Sequence, residues 1–300
     1  MERRDFIKGS VGAAVTAFFI PSAFNEISAT APIDLVAVKN ATPDILFDRA
    51  IEALGGMSAF VKKNQTVVVK PNIGWDVPPE RAANTNPQLV RRIIEHCYSA
   101  GAKKVYVFDH TCDDWKKSYA NSGIERAALD AGAAIMPADN EKYYIDINIP
   151  KGKVLKSTKV HHLIVESDVF INVPVLKNHS SAKLTISMKN LMGIMWDRKW
   201  WHRNDLQQCI ADFCTWKCPD LNVVDAYNVL LRNGPRGVSV DDVSNMKSLI
   251  ASRDIVAADA AASKLFGMEP DKVDHIKIAA AAGIGRMDLD KLNIKRIKVS

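Results

Sequence analysis

Two lysines, two histidines and two aspartates stand where strand-like runs give way to polar residues. Lys70 and Asn72 follow the β-branched run 66–69, and Asp109 with His110 follows 104–108. Lys177 and His179 come after the apolar run 169–173, and Asp225 comes after 221–224. Imidazoles exchange protons near neutral pH, and ammonium groups act as point charges for anions. Gathered in one place, such groups make an acid–base site that holds an anionic ligand. His110, His179 and Asp109 are the catalytic candidates. Each residue also has a plain reading: a hydrogen-bonded structural histidine, a helix cap for Asp225, a solvated loop charge for Lys70.

The stretch from Lys177 to Gly193 is the densest in polar function. Lysines, hydroxyls and amides alternate there with single apolar residues, which suits anion recognition. With the strand ends, it nominates Lys70, Asn72, Lys177, Thr185, Lys189, Asn190 and Asp225 as substrate-binding residues. The alternative is an amphipathic surface strand. Just beyond lies an aromatic knot, Trp196, Trp200 and Trp201 with His202, suited to lidding a pocket, stacking on a ring or ordinary packing.

Positioning these residues requires strands whose carboxyl ends share one edge. Thr42-Pro43 and Asn86-Pro87 read as helix caps followed by proline in the first turn, with Gly55 and Gly101 as stops. Strands are expected at 33–39, 66–69, 104–108, 143–149, 169–173 and 221–224. Helices are expected from 43, from 87 to about 100, and at 123–131, 206–217, 254–266 and 271–282. The tail 292–299 alternates Ile and Val with Lys and Arg, as protected edge strands do. Strands alternating with helices specify an α/β fold with a mostly parallel sheet flanked by helices. Ligands of such sheets bind beyond the carboxyl ends of the strands. A weak compositional change near 150–160 is the place for a boundary between two lobes.

The N-terminus carries Arg3-Arg4 before Phe6, Ile7 and Lys8, and Gly9 to Phe24 is free of charge. A membrane-spanning helix needs roughly twenty apolar residues, and this run is shorter and contains Gly9, Gly12 and Pro21. It reads as a twin-arginine signal peptide over 1–31, cut near Ala29 or Ala31. The export machinery is then one partner, the periplasm or outer membrane face the destination, and 32–300 the mature domain. An uncleaved anchor is the alternative.

Of the 300 residues, 47% are hydrophobic and 25% charged, with a net charge of +6, which is globular composition with a mild cationic excess. No basic helix with interleaved aromatics supports nucleic-acid binding, so a small anionic molecule is the expected ligand. Five cysteines without framework spacing argue against a disulfide scaffold. Cys97 falls in the apolar phase of its helix. Cys209, Cys214 and Cys218 fall on one expected helix and, with His202, are the weak metal-ligand candidates; packing is the competing reading.

Lys70-Pro71-Asn72, Pro174 to His179, Thr185 with Lys189-Asn190 and Gly193, and Asp225 followed by Gly234-Pro235 resemble domain-of-unknown-function family 362 (DUF362). So does the segment Ala251 to Asp254, with Ala257 to Asp259, Gly283 and Gly285 after it. The resemblance covers the whole mature chain and implies no reaction. Some members carry a ferredoxin-like domain with repeated Cys-x2-Cys motifs; no such motif is present here, so cluster-based electron transfer is not carried over.

A more remote resemblance is to the nickel-pincer lactate racemases, on His110, His179 and Lys189. It implies a shared scaffold and proton exchange by the two histidines, with the lysine holding a pyridinium cofactor. The chain departs from that pattern at Leu184 to Met188, where the racemases are glycine-rich. It also has no clear nickel-ligating histidine unless His202 serves, so the nickel cofactor is not carried over. The cofactor stays unassigned, with a metal or redox group open. The leading expectation is proton or hydride transfer on a small carboxylate-bearing substrate. The alternative is a metal or cofactor carrier of the cell envelope using His179, His202 and the cysteine helix.

Overall fold

The computed structural model describes residues 32–300, so the export signal read at 1–31 lies outside the described residues. The chain runs β1 (Leu35–Lys39), α1 (Pro43–Ala53), β2 (Thr66–Pro71), α2 (Pro87–Ser99), β3 (Lys104–Val107), α3 (Trp115–Asn121), α4 (Ile124–Asp130) and β4 (Ala134–Ile135). A two-stranded hairpin of β5 (Tyr144–Asn148) and β6 (Ser157–His161) precedes α5 (Leu163–Glu166) and β7 (Val169–Val173). Then come β8 (Val175–His179), β9 (Lys183–Thr185), α6 (Ser187–Asn190), α7 (Arg198–Arg203) and α8 (Leu206–Cys214). The last elements are β10 (Leu221–Leu230), β11 (Val243–Ser252), α9 (Ile255–Phe266), α10 (Asp274–Ala281) and β12 (Ile294–Lys298).

The central sheet runs β12-β1-β11-β10-β7-β2-β3-β4, with β8 paired to the outer part of β10 and β9 paired to β8. Its pairings are mostly parallel; β11 is antiparallel to both β1 and β10, and β9 to β8. Both faces are buried, as a parallel sheet requires. In β2, Val67 and Val69 join the apolar layer around α1 and α2, while Val68 joins the opposite layer with Phe108, Phe170 and α9.

The sequence cues act as expected in α2. The Asn86 side chain accepts the Gln88 N–H at 2.9 Å, Pro87 starts the helix, and Leu89, Val90, Ile93, Ile94 and Cys97 are buried. Burial pushes the Cys97 thiol up to about 12. The tail forms the expected edge strand, parallel to β1.

Several elements depart from expectation: β4, β6, β11, α3, α5 and α7 are additional, β10 runs on to Leu230, and α8 is shorter. Strand β11 carries Ser, Asn and Lys in its first half, residues poor in strand propensity; that half pairs with β10 alone, and the half from Ser248 to Ser252 pairs with β1 and β10. The helix expected at 206–217 ends at Cys214, so Cys218 lies beyond it.

The stretch from Lys177 to Gly193 is not a surface strand. It forms β8, β9 and α6, and Lys177, His179, Thr185, Lys189 and Asn190 are all buried. This excursion brings its polar side chains over the carboxyl ends of β2 and β3.

Candidate functional site

A cavity of about 400 Å³ opens where these elements meet, a volume suited to a small molecule. Lys70, Asn72, Asp109, His110, Lys177, His179, Thr185, Lys189 and Asn190 all line it. Nine of the ten catalytic and substrate-binding candidates are therefore brought together. Asp225 is not: it is buried within β10, and its carboxylate accepts the backbone N–H groups of Asn86 at 2.7 Å and Tyr227 at 3.0 Å. It caps the entry to α2, and burial raises it to about 6 against those two bonds.

The floor of the cavity is a closed polar network. Lys70, with no exposed surface, meets the Asp109 carboxylate at 2.8 Å, the Pro71 carbonyl at 2.8 Å and the Asn190 side-chain oxygen at 2.9 Å. With two hydrogen bonds and an ion pair, all to the protein, Lys70 is engaged as a structural cation. Asn190 also accepts from Asn72 Nδ2 at 2.9 Å and donates to Asn172 Oδ1 at 2.9 Å. Asp109 accepts the Ile73 N–H at 2.6 Å through its second oxygen. The Tyr119 hydroxyl accepts the Asp109 N–H at 2.6 Å and donates to the Asp109 carbonyl at 2.9 Å. Asp109 is thus held by its neighbours as the counter-charge of Lys70.

The other two lysines keep capacity. Lys177 donates to Asn72 Oδ1 at 3.0 Å and to the Ala83 carbonyl, leaving one proton free. Lys189 has no hydrogen-bond or ion-pair partner among the described residues, although only 9% of its surface is exposed. Burial lowers Lys177 to about 7 and Lys189 to about 8, with mutual repulsion adding to the effect on Lys177. Lys189 is held by its backbone: α6 begins where Asp259 accepts the Ser187 and Met188 N–H groups at 2.7 and 3.0 Å.

The histidines sit in opposite tautomers. His110 Nδ1 lies 2.8 Å from the Met195 carbonyl, which only accepts, so Nδ1 carries the proton and Nε2 keeps a lone pair. Its ring stacks on Trp196 at 5.3 Å and 6°, which gives the aromatic knot a positioning role. His179 Nδ1 accepts the N–H groups of Ser181 and Ala182, both at 3.2 Å, so the proton of the neutral ring is on Nε2. Burial, then the charges of Lys189 and Lys177, pull His179 down to about 2. Burial and the Arg198 guanidinium likewise hold His110 below the usual histidine range. Both rings are neutral at physiological pH.

The structure adds residues that the sequence reading did not nominate. Arg198 lines the cavity while donating to the His110 and Thr111 carbonyls at 2.6 Å each, and Cys112 lines it from the same loop. The signal was the Trp196–Arg203 stretch, where aromatic residues drew attention from the arginine among them.

The weak metal candidates divide. His202 lines the cavity with its ring 6.3 Å from that of His179. Cys214 contacts the Ile210 carbonyl of its own helix, and Cys218, past the helix end, has its thiol against the Cys214 carbonyl at 3.4 Å. All five cysteines are free thiols, and among the described residues no set of three or more His, Cys, Asp or Glu is gathered for a metal ion. Side chains alone therefore do not assemble the ligand set of the carrier reading.

The family model described as "Domain of unknown function (DUF362)" matches residues 67–264, a span that contains every residue of this network. The chain belongs to the DUF362 family. This DUF362 protein is 26% identical over 247 residues to the thylakoid-associated protein sll1697 of Synechocystis sp., a match covering 78% of this chain and 73% of that protein. Among solved structures, the lactate racemase apoprotein from Thermoanaerobacterium thermosaccharolyticum is similar with a TM-score of 0.48 and 15% identity. That match covers 78% of this chain and 57% of the racemase chain, so the DUF362 protein spans little more than half of it.

Proposed function

We propose that this protein catalyses proton transfer on a small carboxylate-bearing molecule held in the cationic cavity. The observation that carries the reading is the pair of opposed tautomers: His110 offers a lone pair on Nε2, and His179 offers an N–H on Nε2. A neutral imidazole is a weak acid but a good hydrogen-bond donor, so His110 is the base and His179 steadies charge developing on a substrate oxygen. Lys177, Lys189 and Arg198 supply the positive field for the carboxylate, and Thr185 adds a hydroxyl. Hydride transfer would require, in addition, an acceptor that no side chain provides. The test is hydrogen–deuterium exchange in D2O with a panel of small 2-hydroxy and 2-oxo acids, followed by NMR. Exchange of one panel member by the protein supports the reading, and a panel wholly inert at high protein concentration sinks it.

Anion affinity has a defined pH dependence. A lysine attracts a carboxylate while protonated, so binding is strongest below the lower lysine pKa and weakens as pH rises through about 7 for Lys177 and about 8 for Lys189. The dissociation constant of a bound carboxylate rises about tenfold per pH unit once one such lysine loses its proton. Calorimetric titration at a series of pH values measures this; affinity that is flat or rising across the window contradicts the clamp.

The arginine pair and apolar run at the N-terminus support export of the folded domain by the twin-arginine route to the far side of the membrane. The thylakoid association of the cyanobacterial relative is consistent with action beside a membrane, and no helix of the described residues is long and apolar enough to cross one. Arg3→Lys together with Arg4→Lys is expected to leave the protein in the cytoplasm on cell fractionation. An unchanged distribution would remove the export assignment.

A further inference from the structure

Three buried lysines and the exposed Lys199 line the cavity wall, and the engagement of the buried three is graded. Lys70 makes two hydrogen bonds and an ion pair with the protein, Lys177 makes two hydrogen bonds, and Lys189 makes neither among the described residues. A buried amine without a partner costs stability, and nothing in the fold offsets that cost at Lys189. Its placement is nonetheless firm. The Asp259 carboxylate fixes the first two N–H groups of α6, and the next residue, Asn190, is locked to Lys70, Asn72 and Asn172. The backbone holds the amine in the cavity while its end stays free.

The surroundings favour the uncharged amine. Other cations of the wall, Lys70, Lys177 and Arg198, repel a proton on Lys189, and the carboxylate of Asp109 is already committed to Lys70. Burial is the larger influence in the same direction, and together they bring Lys189 down to about 8. The uncharged fraction of such an amine, roughly a tenth at pH 7, is a nucleophile for carbonyl carbon. Purely electrostatic anion binding does not call for an amine without a counter-charge, and at Lys70 the fold places a carboxylate 2.8 Å from the ammonium.

We propose that Lys189 is a covalent catalytic residue whose Nζ condenses with the carbonyl carbon of a small 2-oxo acid, the carboxylate of which is held by Lys177 and Arg198. The inference rests on the proton-transfer reading and names its substrate class. The Nζ lone pair forms the new C–N bond as the carbonyl π pair moves to oxygen. The C–O bond then breaks as C=N forms. Counted from the ammonium, two of its three protons leave with the carbonyl oxygen as water and the third stays on the iminium nitrogen, so no proton is gained or lost overall. The cationic nitrogen draws electron density from the adjacent C–H bond. His110 then takes that proton, and the bonding pair moves to give the enamine. His179, with its Nε2–H, and Thr185 donate hydrogen bonds to the departing oxygen.

The experiment treats the purified protein with pyruvate or glyoxylate and sodium cyanoborohydride, which reduces an iminium to a stable secondary amine. Intact mass and peptide mapping then locate the adduct. The expected result is one adduct per chain, at Lys189, absent in Lys189→Arg. No adduct, or adducts spread over exposed lysines away from the cavity such as Lys116 and Lys117, overturns the proposal. Because the map is read on the unsubstituted protein, a variant that fails to fold does not decide the matter. Exchange of the pyruvate methyl protons in D2O is followed in the same samples. Exchange without an adduct overturns the covalent role and leaves the acid–base reading standing; an adduct without exchange supports the covalent role and overturns proton abstraction by His110.

Discussion

Replacing His110 with Ala is expected to lower proton exchange by about 10²–10⁴-fold, the range typical of a positioned general base. Only one hydrogen bond is made by the ring, to the Met195 carbonyl, and one stacking contact is lost with Trp196. The loss of stability is therefore modest, ~1–2 kcal/mol, and the variant should remain folded. Added imidazole should restore part of the rate by entering the vacated space. His179→Ala is expected to cost less, because a hydrogen-bond donor is lost and the base is retained. The pH profile separates the two further. His110 works as a base only when deprotonated, and its pKa lies below the usual histidine range. The rate should therefore hold through neutrality and fall on the acid side as His110 takes up its proton. A His110→Ala protein that exchanges at the unsubstituted rate would end the assignment.

The strand ends were legible in the sequence because a parallel sheet leaves little freedom about where its carboxyl ends go. Lys70, His110, Lys177 and His179 each follow an apolar run, and all four line one cavity. Their division of labour was not legible. Lys70 looks like an anion clamp until Asp109 and Asn190 are found beside it, and Asn190 is 120 residues away in the chain. Asp225 sits at a strand position equivalent to the others, yet its register opposite Val175 accompanies a carboxylate bound to the Asn86 and Tyr227 N–H groups. Histidine tautomers depend on backbone atoms of Met195, Ser181 and Ala182, which no residue pattern encodes. Strand β11 has no local signal for a related reason: its Ser, Asn and Lys residues have weak strand propensity and extend through pairing with β10. The lesson is about distance in the chain. Elements with local signals were readable, and pairings between remote polar groups were not.

Gly193→Ala is expected to cost a large share of the stability for one methyl group. A Cβ built on Gly193 lies 1.8 Å from Asp109 Oδ1 and 2.6 Å from Lys70 Nζ, so the methyl cannot enter without parting the ion pair. Neither partner can move freely, since Asp109 also binds the Ile73 N–H and Lys70 binds the Pro71 carbonyl and Asn190. Breaking a buried pair while leaving one charge uncompensated costs ~3–5 kcal/mol. Gly74 supplies the control in the same wall: its added Cβ would meet Asn72 Oδ1 at an ordinary 3.5 Å, so Gly74→Ala should change stability by about 0.5 kcal/mol or less. Urea unfolding of both variants gives the comparison, and a Gly193→Ala protein as stable as its control would show that the pair can shift aside. The damage should also reach function. The Gly193 carbonyl accepts the His110 N–H at 2.8 Å, so the contact that excludes a side chain at Gly193 also sets the backbone that carries the proposed base. If the variant folds, its exchange rate should fall while Lys189, held separately by α6, still accepts a carbonyl probe. Loss of both together would mean that the ion pair organises the whole cavity rather than the His110 side alone.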